Sequence, residues 1–168
     1  MNPDELLKTV SEGDIIVFET ATPVERIRTA CLLSVAASKS GRKVMLFSNY
    51  SPAADIPGKI FSIASGIDEN RMASGNLDDS EINSLWRELR HISEFPILIK
   101  HGDVGFDELT IHIQEERTVD LVIVENICRS GKCRTVKESI CELKKNITDR
   151  GCAVIILELR ASADDILH

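Results

Sequence analysis

The residues best suited to chemistry lie where the first predicted strand meets the first long predicted helix. Residues 19–28 read ETATPVERIR. In a parallel α/β sheet this turn is the usual phosphate site, because free N–H groups and the helix dipole attract an anion. A phosphate-binding loop needs the pattern G-x-x-x-x-G-K-[ST]. Counted from the strand end, Thr20 and Glu25 fill its glycine positions, and no glycine is present. Arg26 and Ile27 fill its lysine and hydroxyl positions.

This turn predicts a capping box instead. Thr22 takes the N-cap position, Pro23 the first helical position, and Glu25 follows three residues after Thr22. We expect the Thr22 hydroxyl to accept the Glu25 N–H, and the Glu25 carboxylate to accept the Thr22 N–H. These bonds would occupy donors that a phosphate needs. A carboxylate about 4 Å from a phosphate oxygen would also cost on the order of 4 kcal/mol at an effective dielectric of 20.

Two further positions leave a modified nucleotide site open as an alternative. A guanidinium binds phosphate well, so Arg26 could hold one, or it could pair with Glu25. Glu125 follows the fourth predicted strand, where nucleotide hydrolases of this architecture use an aspartate to organise Mg²⁺ and water. A glutamate keeps that charge on a longer arm. The second predicted strand ends in the sequence SNY, residues 48–50, which offers no carboxylate base.

Residues 129–134, RSGKCR, form a compact basic cluster. Arg129, Lys132 and Arg134 could contact nucleic-acid phosphates, and such binding would weaken steeply with salt. The other interpretation is a solvated turn before a helix, which we favour. The overall charge supports that choice, because 27 acidic residues outnumber 20 basic ones and give a net charge of −7.

Composition limits the class of protein. With 168 residues, 43% hydrophobic, the chain suits one domain with its own core, which we place at residues 1–168. The acidic balance argues against a surface that binds nucleic acid or anionic membrane as a whole. Because no apolar stretch is long enough to span a bilayer and no signal peptide is evident, we expect a cytoplasmic protein without membrane contact. The 5 cysteines lack paired spacing, so we expect reduced thiols and no metal site.

Strand-like and helix-like segments alternate along the chain. Continuously apolar runs, typical of strands buried on both faces, lie at residues 15–19, 43–48, 97–100, 120–125 and 153–158. Helical patterns with start signals lie at residues 22–39, 52–65, 78–93, 106–116 and 134–149. The third helix contains Trp86, which we interpret as a packing residue. This order predicts right-handed crossovers and a three-layer α/β/α domain with a mainly parallel sheet of about five strands.

Several segments together resemble the RecA-type motor domain of the DnaB-class replicative DNA helicases. The matching segments are EGDIIV at residues 12–17, VMLFS at 44–48 with Pro52, SGIDENRMASGNLD at 65–78, DLVIVE at 120–125 and LK at 143–144. The segment at 65–78 is the most specific, since it is similar to the family pattern S-x-V-D-x-x-[KR]-[IM]-x-x-G-x-L. The resemblance implies a P-loop NTPase-type fold, without the family's N-terminal domain and later C-terminal segments.

The resemblance also implies that the catalytic positions have changed. By order along the chain, the Walker A lysine of the family falls on Arg26 and the Walker B aspartate on Glu125. The family's catalytic glutamate falls on Tyr50. Degenerate motifs of this kind are typical of a pseudo-ATPase, so we expect neither catalytic residues nor a bound cofactor.

Three functions remain open. The favoured one is a non-catalytic interaction or regulatory module linked to DNA replication, whose partner is a replicative helicase or a second copy of the chain. The second is a divergent ATP-binding helicase subunit that uses Arg26 and Glu125 with ATP and Mg²⁺. The third is a DNA-binding module that uses the basic cluster at 129–134.

Overall fold

Five parallel strands form the central sheet of the computed structural model, which describes residues 3–48, 56–94, 96–102, 104–125, 127, 136–148 and 150–159. The strands are β1 (Ile15–Thr20), β2 (Val44–Ser48), β3 (Ile97–His101), β4 (Leu121–Val124) and β5 (Ala153–Leu159). Their spatial order is β1-β5-β4-β2-β3, and every neighbouring pair is parallel. The predicted sheet of about five mainly parallel strands is therefore confirmed.

Seven helices connect or flank these strands in the described part of the chain. They are α1 (Pro3–Thr9), α2 (Pro23–Lys39), α3 (Ile56–Ser65), α4 (Glu69–Ser74), α5 (Asp79–Glu94), α6 (Phe106–Glu115) and α7 (Val136–Thr148). The sequence patterns did not predict α1 and α4, which are too short for helical periodicity to show. Local signals do explain α4, because the Asp68 carboxylate caps its first turn and Gly75 ends it at φ 68.

The two faces of the sheet bury separate apolar clusters, which makes the three layers. Ile123 and Ile155 pack with α1, α2 and α3 on one face. Val122 and Val154 pack with α6 and α7 on the other. This alternation along β4 and β5 explains their continuous apolar sequences, since a strand covered on both faces needs an apolar residue at every position.

The remaining boundaries agree with the sequence to within a few residues. Asp78 and Glu81 form a capping box at the start of α5, in which Asp78 Oδ1 accepts the Glu81 N–H at 2.9 Å and Glu81 Oε2 accepts the Asp78 N–H at 3.0 Å. The predicted helix starts at Pro52 and Arg134 lie outside the described residues. The extent of the domain as residues 1–168 stays a prediction. None of the described helices combines the length and apolarity that crossing a bilayer requires.

Burial sets the reactivity of the described cysteines. Burial raises the pKa of the Cys31 thiol in α2 to about 12, and it also raises the pKa of Cys152 beside β5. Cys141 in α7 is exposed. Because the thiolate is the reactive form, Cys31 is chemically inert in the folded chain. The described residues contain no group of three His, Cys, Asp or Glu side chains placed to hold a metal ion.

We predict that an alkylating reagent separates these thiols. At pH 8, a pKa of about 12 leaves about one Cys31 thiol in ten thousand ionised, so Cys31 should be labelled only on unfolding. Cys141 should be labelled quickly in the native protein. Peptide mass mapping after iodoacetamide treatment, with and without urea, measures both, and rapid native labelling of Cys31 would contradict the burial of α2.

Candidate functional site

The first turn of α2 has its N-terminal donors bound by its own side chains. Thr22 is the N-cap in extended backbone (φ −139, ψ 156), and Pro23 follows at the first helical position. Thr22 Oγ1 accepts the Glu25 N–H at 3.1 Å, which is the bond expected of a capping box. One of the amides that could face an anion at this turn is thus already occupied.

The second bond of the predicted capping box was assigned to the wrong amide. Glu25 Oε2 accepts the Ala21 N–H at 2.8 Å, one residue before the predicted Thr22 N–H. Ala21 and Thr22 form a bend between β1 and α2, and this bend turns the Ala21 amide toward the first helical turn. The Glu25 carboxylate therefore lies over the mouth of the turn, where an anionic ligand would have to approach.

Arg26 does not pair with Glu25, which was one of the possibilities that the sequence left open. Its Nε atom donates to Glu125 Oε1 at 3.1 Å. Ser48 Oγ donates to the other oxygen, Glu125 Oε2, at 2.6 Å. Arg26 is 8% exposed, Ser48 1% and Glu125 0%. We call these three residues the Arg26–Glu125–Ser48 cluster.

Three elements bring the cluster together at the carboxyl edge of the sheet. Ser48 is the last residue of β2, and Glu125 directly follows β4. These two strands are neighbours with Phe47 opposite Val124, so the next residue on each strand lies at the same level. The Glu125 N–H donates to the Phe47 carbonyl at 2.9 Å and extends the ladder. Arg26 reaches this edge from the first turns of α2, which is where ligands bind in open α/β sheets.

The chemistry of the cluster is that of a closed ion pair. Each carboxylate oxygen of Glu125 accepts a hydrogen bond from a buried donor. A buried carboxylate needs such partners, because removing a charge from water without compensation is very costly. If Glu125 were to bind Mg²⁺, or Arg26 a phosphate, the ion pair would first have to open.

The neighbouring candidate positions are structural. Ile27 is 2% exposed and belongs to the core cluster beneath α2, so it brings no oxygen ligand to the site. Thr20 is buried at the end of β1, and its Oγ1 donates to the Glu158 carbonyl at 3.0 Å. Thr20 therefore joins β1 to β5 rather than facing a ligand.

Four predicted site residues, Tyr50, Arg129, Lys132 and Arg134, lie outside the described residues. Their roles stay predictions. Conversely, the sequence analysis did not identify Ser48 as a site residue. The available signal was its place at the end of a buried strand, but only the strand order shows that β2 lies beside β4.

Two solved structures share this fold. The ATPase domain of a DnaB-like helicase matches with a TM-score of 0.73 at 13% sequence identity, over 99% of this chain and 69% of that chain. A DnaB-like replicative helicase, described with its interactions with primase, matches with a TM-score of 0.70 at 13% identity. That match covers 94% of this chain and 42% of the helicase chain.

The chain therefore has the RecA-type fold of DnaB-like helicase ATPase domains, as the sequence resemblance implied. No protein-family model matches the sequence, and no curated protein matches it either. At 13% identity the likeness establishes the fold alone.

Removing one member of the ion pair should destabilise the fold strongly. R26M leaves the Glu125 carboxylate buried without its cation, and E125M leaves the guanidinium without its anion. Each should lower the free energy of unfolding by about 3–5 kcal/mol, whereas R26M/E125M should recover most of that loss. Urea unfolding followed by circular dichroism measures this cycle. Exposed Arg28 provides the control, since R28M should change stability by less than about 0.5 kcal/mol. Additive losses in the double variant would show that the two charges do not interact.

The cap of α2 should contribute separately to stability. T22A removes the acceptor of the Glu25 N–H and should lower the free energy of unfolding by about 1 kcal/mol. T22S keeps an oxygen at the same place and should retain most of the stability. Thermal unfolding of both variants compares them, and equal stabilities would mean that the Thr22 hydroxyl does not cap the helix in solution.

Proposed function

We propose that this chain is a pseudo-ATPase: a helicase-type ATPase domain that has lost nucleotide hydrolysis and acts through protein contacts in DNA replication. The observation that supports this proposal most strongly is the buried ion pair between Arg26 and Glu125. The resemblance puts Arg26 at the position of the phosphate-binding lysine and Glu125 at that of the metal-organising aspartate. These two charges neutralise each other here.

The ion pair opposes nucleotide binding energetically. Opening a buried, hydrogen-bonded pair without compensation costs about 3–5 kcal/mol, which corresponds to a loss of roughly two to four orders of magnitude in affinity. A nucleotide could recover part of this cost through contacts of its own. The cost nevertheless weighs against a divergent ATPase subunit that uses Arg26 for phosphate and Glu125 for Mg²⁺.

The first turn of α2 adds a second obstacle. The N–H groups of Ala21 and Glu25 are bound by the side chains of Glu25 and Thr22. A triphosphate at this turn would displace both bonds and meet the carboxylate of Glu25. Repulsion between that carboxylate and a phosphate would cost on the order of 4 kcal/mol at about 4 Å and an effective dielectric of 20.

Protein contact is the role that such a domain retains. A RecA-type fold offers rigid helical faces even when its nucleotide site is closed, and the partner that we propose is a replicative helicase or a second copy of this chain. The net charge of −7 disfavours DNA as the main partner. Binding of DNA through the basic cluster at residues 129–134 stays a prediction.

Isothermal titration with Mg-ATP and Mg-ADP tests the proposal. We expect no saturable binding of either nucleotide at concentrations up to about 1 mM. Micromolar binding that is lost in R26A would contradict the proposal and support the divergent ATPase. Hydrolysis assays with and without single-stranded DNA should give equal rates for the wild-type chain and R26A, because turnover from a contaminant does not depend on Arg26.

A further inference from the structure

Helix α5 carries an apolar stripe on its exposed side. Ile82, Trp86 and Leu89 follow one another at spacings of four and three residues and so share one face of the helix. Their exposed fractions are 40%, 59% and 42%. Single exposed apolar residues are ordinary, but three adjoining ones that include the only tryptophan of the chain form a patch typical of an interface.

The other side of α5 is already packed within the domain. Glu88 is 8% exposed and pairs with Lys39 of α2 at 3.3 Å. Ile92 packs against the core cluster beneath α2 and α3. At about 100° per residue, Glu88 lies about 120° around the helix from Ile82. A partner could therefore cover the stripe without displacing any of the contacts that hold α5 in place.

The charges beside the stripe are arranged for a second copy of the same helix. Asp79 and Arg90 are both exposed, and on a regular helix they lie about 60° and 80° around the axis from Ile82, on the same flank. They are 11 residues apart, about 16 Å along the axis. Within the described part of the chain, neither forms an ion pair with another residue, whereas neighbouring Glu81 pairs with Arg71 at 2.8 Å.

We propose that the chain self-associates through α5, with two copies of the helix packed antiparallel about a two-fold axis near residue 85. Ile82 and Leu89 are symmetric about residues 85–86, and Asp79 and Arg90 about residues 84–85. The same arrangement therefore sets Ile82 against the partner copy's Leu89 and Asp79 against the partner copy's Arg90, each contact occurring twice. A two-fold contact is self-complementary in this way, and it stacks Trp86 near the axis.

The area of the stripe sets the strength of the contact. Three partly exposed side chains and two flanking charges bury much less than the about 800 Å² per partner of a stable interface. The dimer is therefore a weak one, with a dissociation constant on the order of 100 μM. This inference concerns a surface remote from the nucleotide position and does not depend on the loss of ATP binding.

The single tryptophan gives a direct test on the intact chain. Sedimentation velocity should show a concentration-dependent dimer, and Trp86 emission should shift to shorter wavelength over the same range, about 10 μM to 1 mM. L89S should weaken the dimer at least tenfold. The matched control is I111S on α6, which removes a side chain that is 53% exposed and should leave the dimer unchanged.

Charge reversal tests the antiparallel arrangement itself. D79K and R90E should each dimerise more weakly than the wild type, because each homodimer then has like charges facing each other at both ends. Mixing the two variants should restore association, since the introduced lysine of one variant then faces the introduced glutamate of the other, and the native Arg90 faces the native Asp79. Circular dichroism of each variant shows whether α5 remains folded, and the mixture controls for any change in helix stability.

Two outcomes would overturn the inference. One is a monomer without a tryptophan shift throughout this concentration range, whether or not a different protein binds the stripe. The other is a dimer that I111S weakens as much as L89S does, or that the mixture of D79K and R90E does not restore.

Discussion

The ion pair between Arg26 and Glu125 is the interaction on which the functional account of this molecule depends. A guanidinium and a carboxylate at the carboxyl edge of a parallel sheet are the two charges that could bind a phosphate and a metal ion there. Instead they bind each other at 3.1 Å, with Ser48 on the remaining carboxylate oxygen. Because the group is buried, it contributes to the folded state only while it is complete.

The parallel sheet makes this cluster possible. The order β1-β5-β4-β2-β3 places the ends of β2 and β4 side by side, and α2 starts at the same edge. In a domain that binds nucleotide, this arrangement leads three elements to one ligand. The same geometry here leads them to one another, so the fold is kept while the usual position for a ligand is filled by side chains of the chain itself.

The sequence predicted the elements well because their signals are local. Continuous apolar runs indicated all five strands, and the threonine, proline and glutamate at residues 22, 23 and 25 indicated the start of α2. The partner of Arg26 could not be predicted in this way, since Glu125 is 99 positions away in sequence and the nearer Glu25 was an equally good candidate. Only the strand order and the burial of both groups distinguish the two.

The interpretation of Trp86 as a packing residue was wrong for a similar reason. Its neighbours Ile82 and Leu89 recur at helical spacing, which indicates an apolar face without showing what covers it. In the structure this face of α5 is exposed, and the packed face is the one that includes Glu88 and Ile92.

A crystal structure determined after soaking with Mg-ATP tests the central claim most directly. The account predicts that Arg26 remains on Glu125, that Glu25 remains on the Ala21 amide, and that no triphosphate density lies against the first turn of α2. Density for a nucleotide on those amides, with Arg26 turned toward its phosphates and Mg²⁺ beside Glu125, would contradict it.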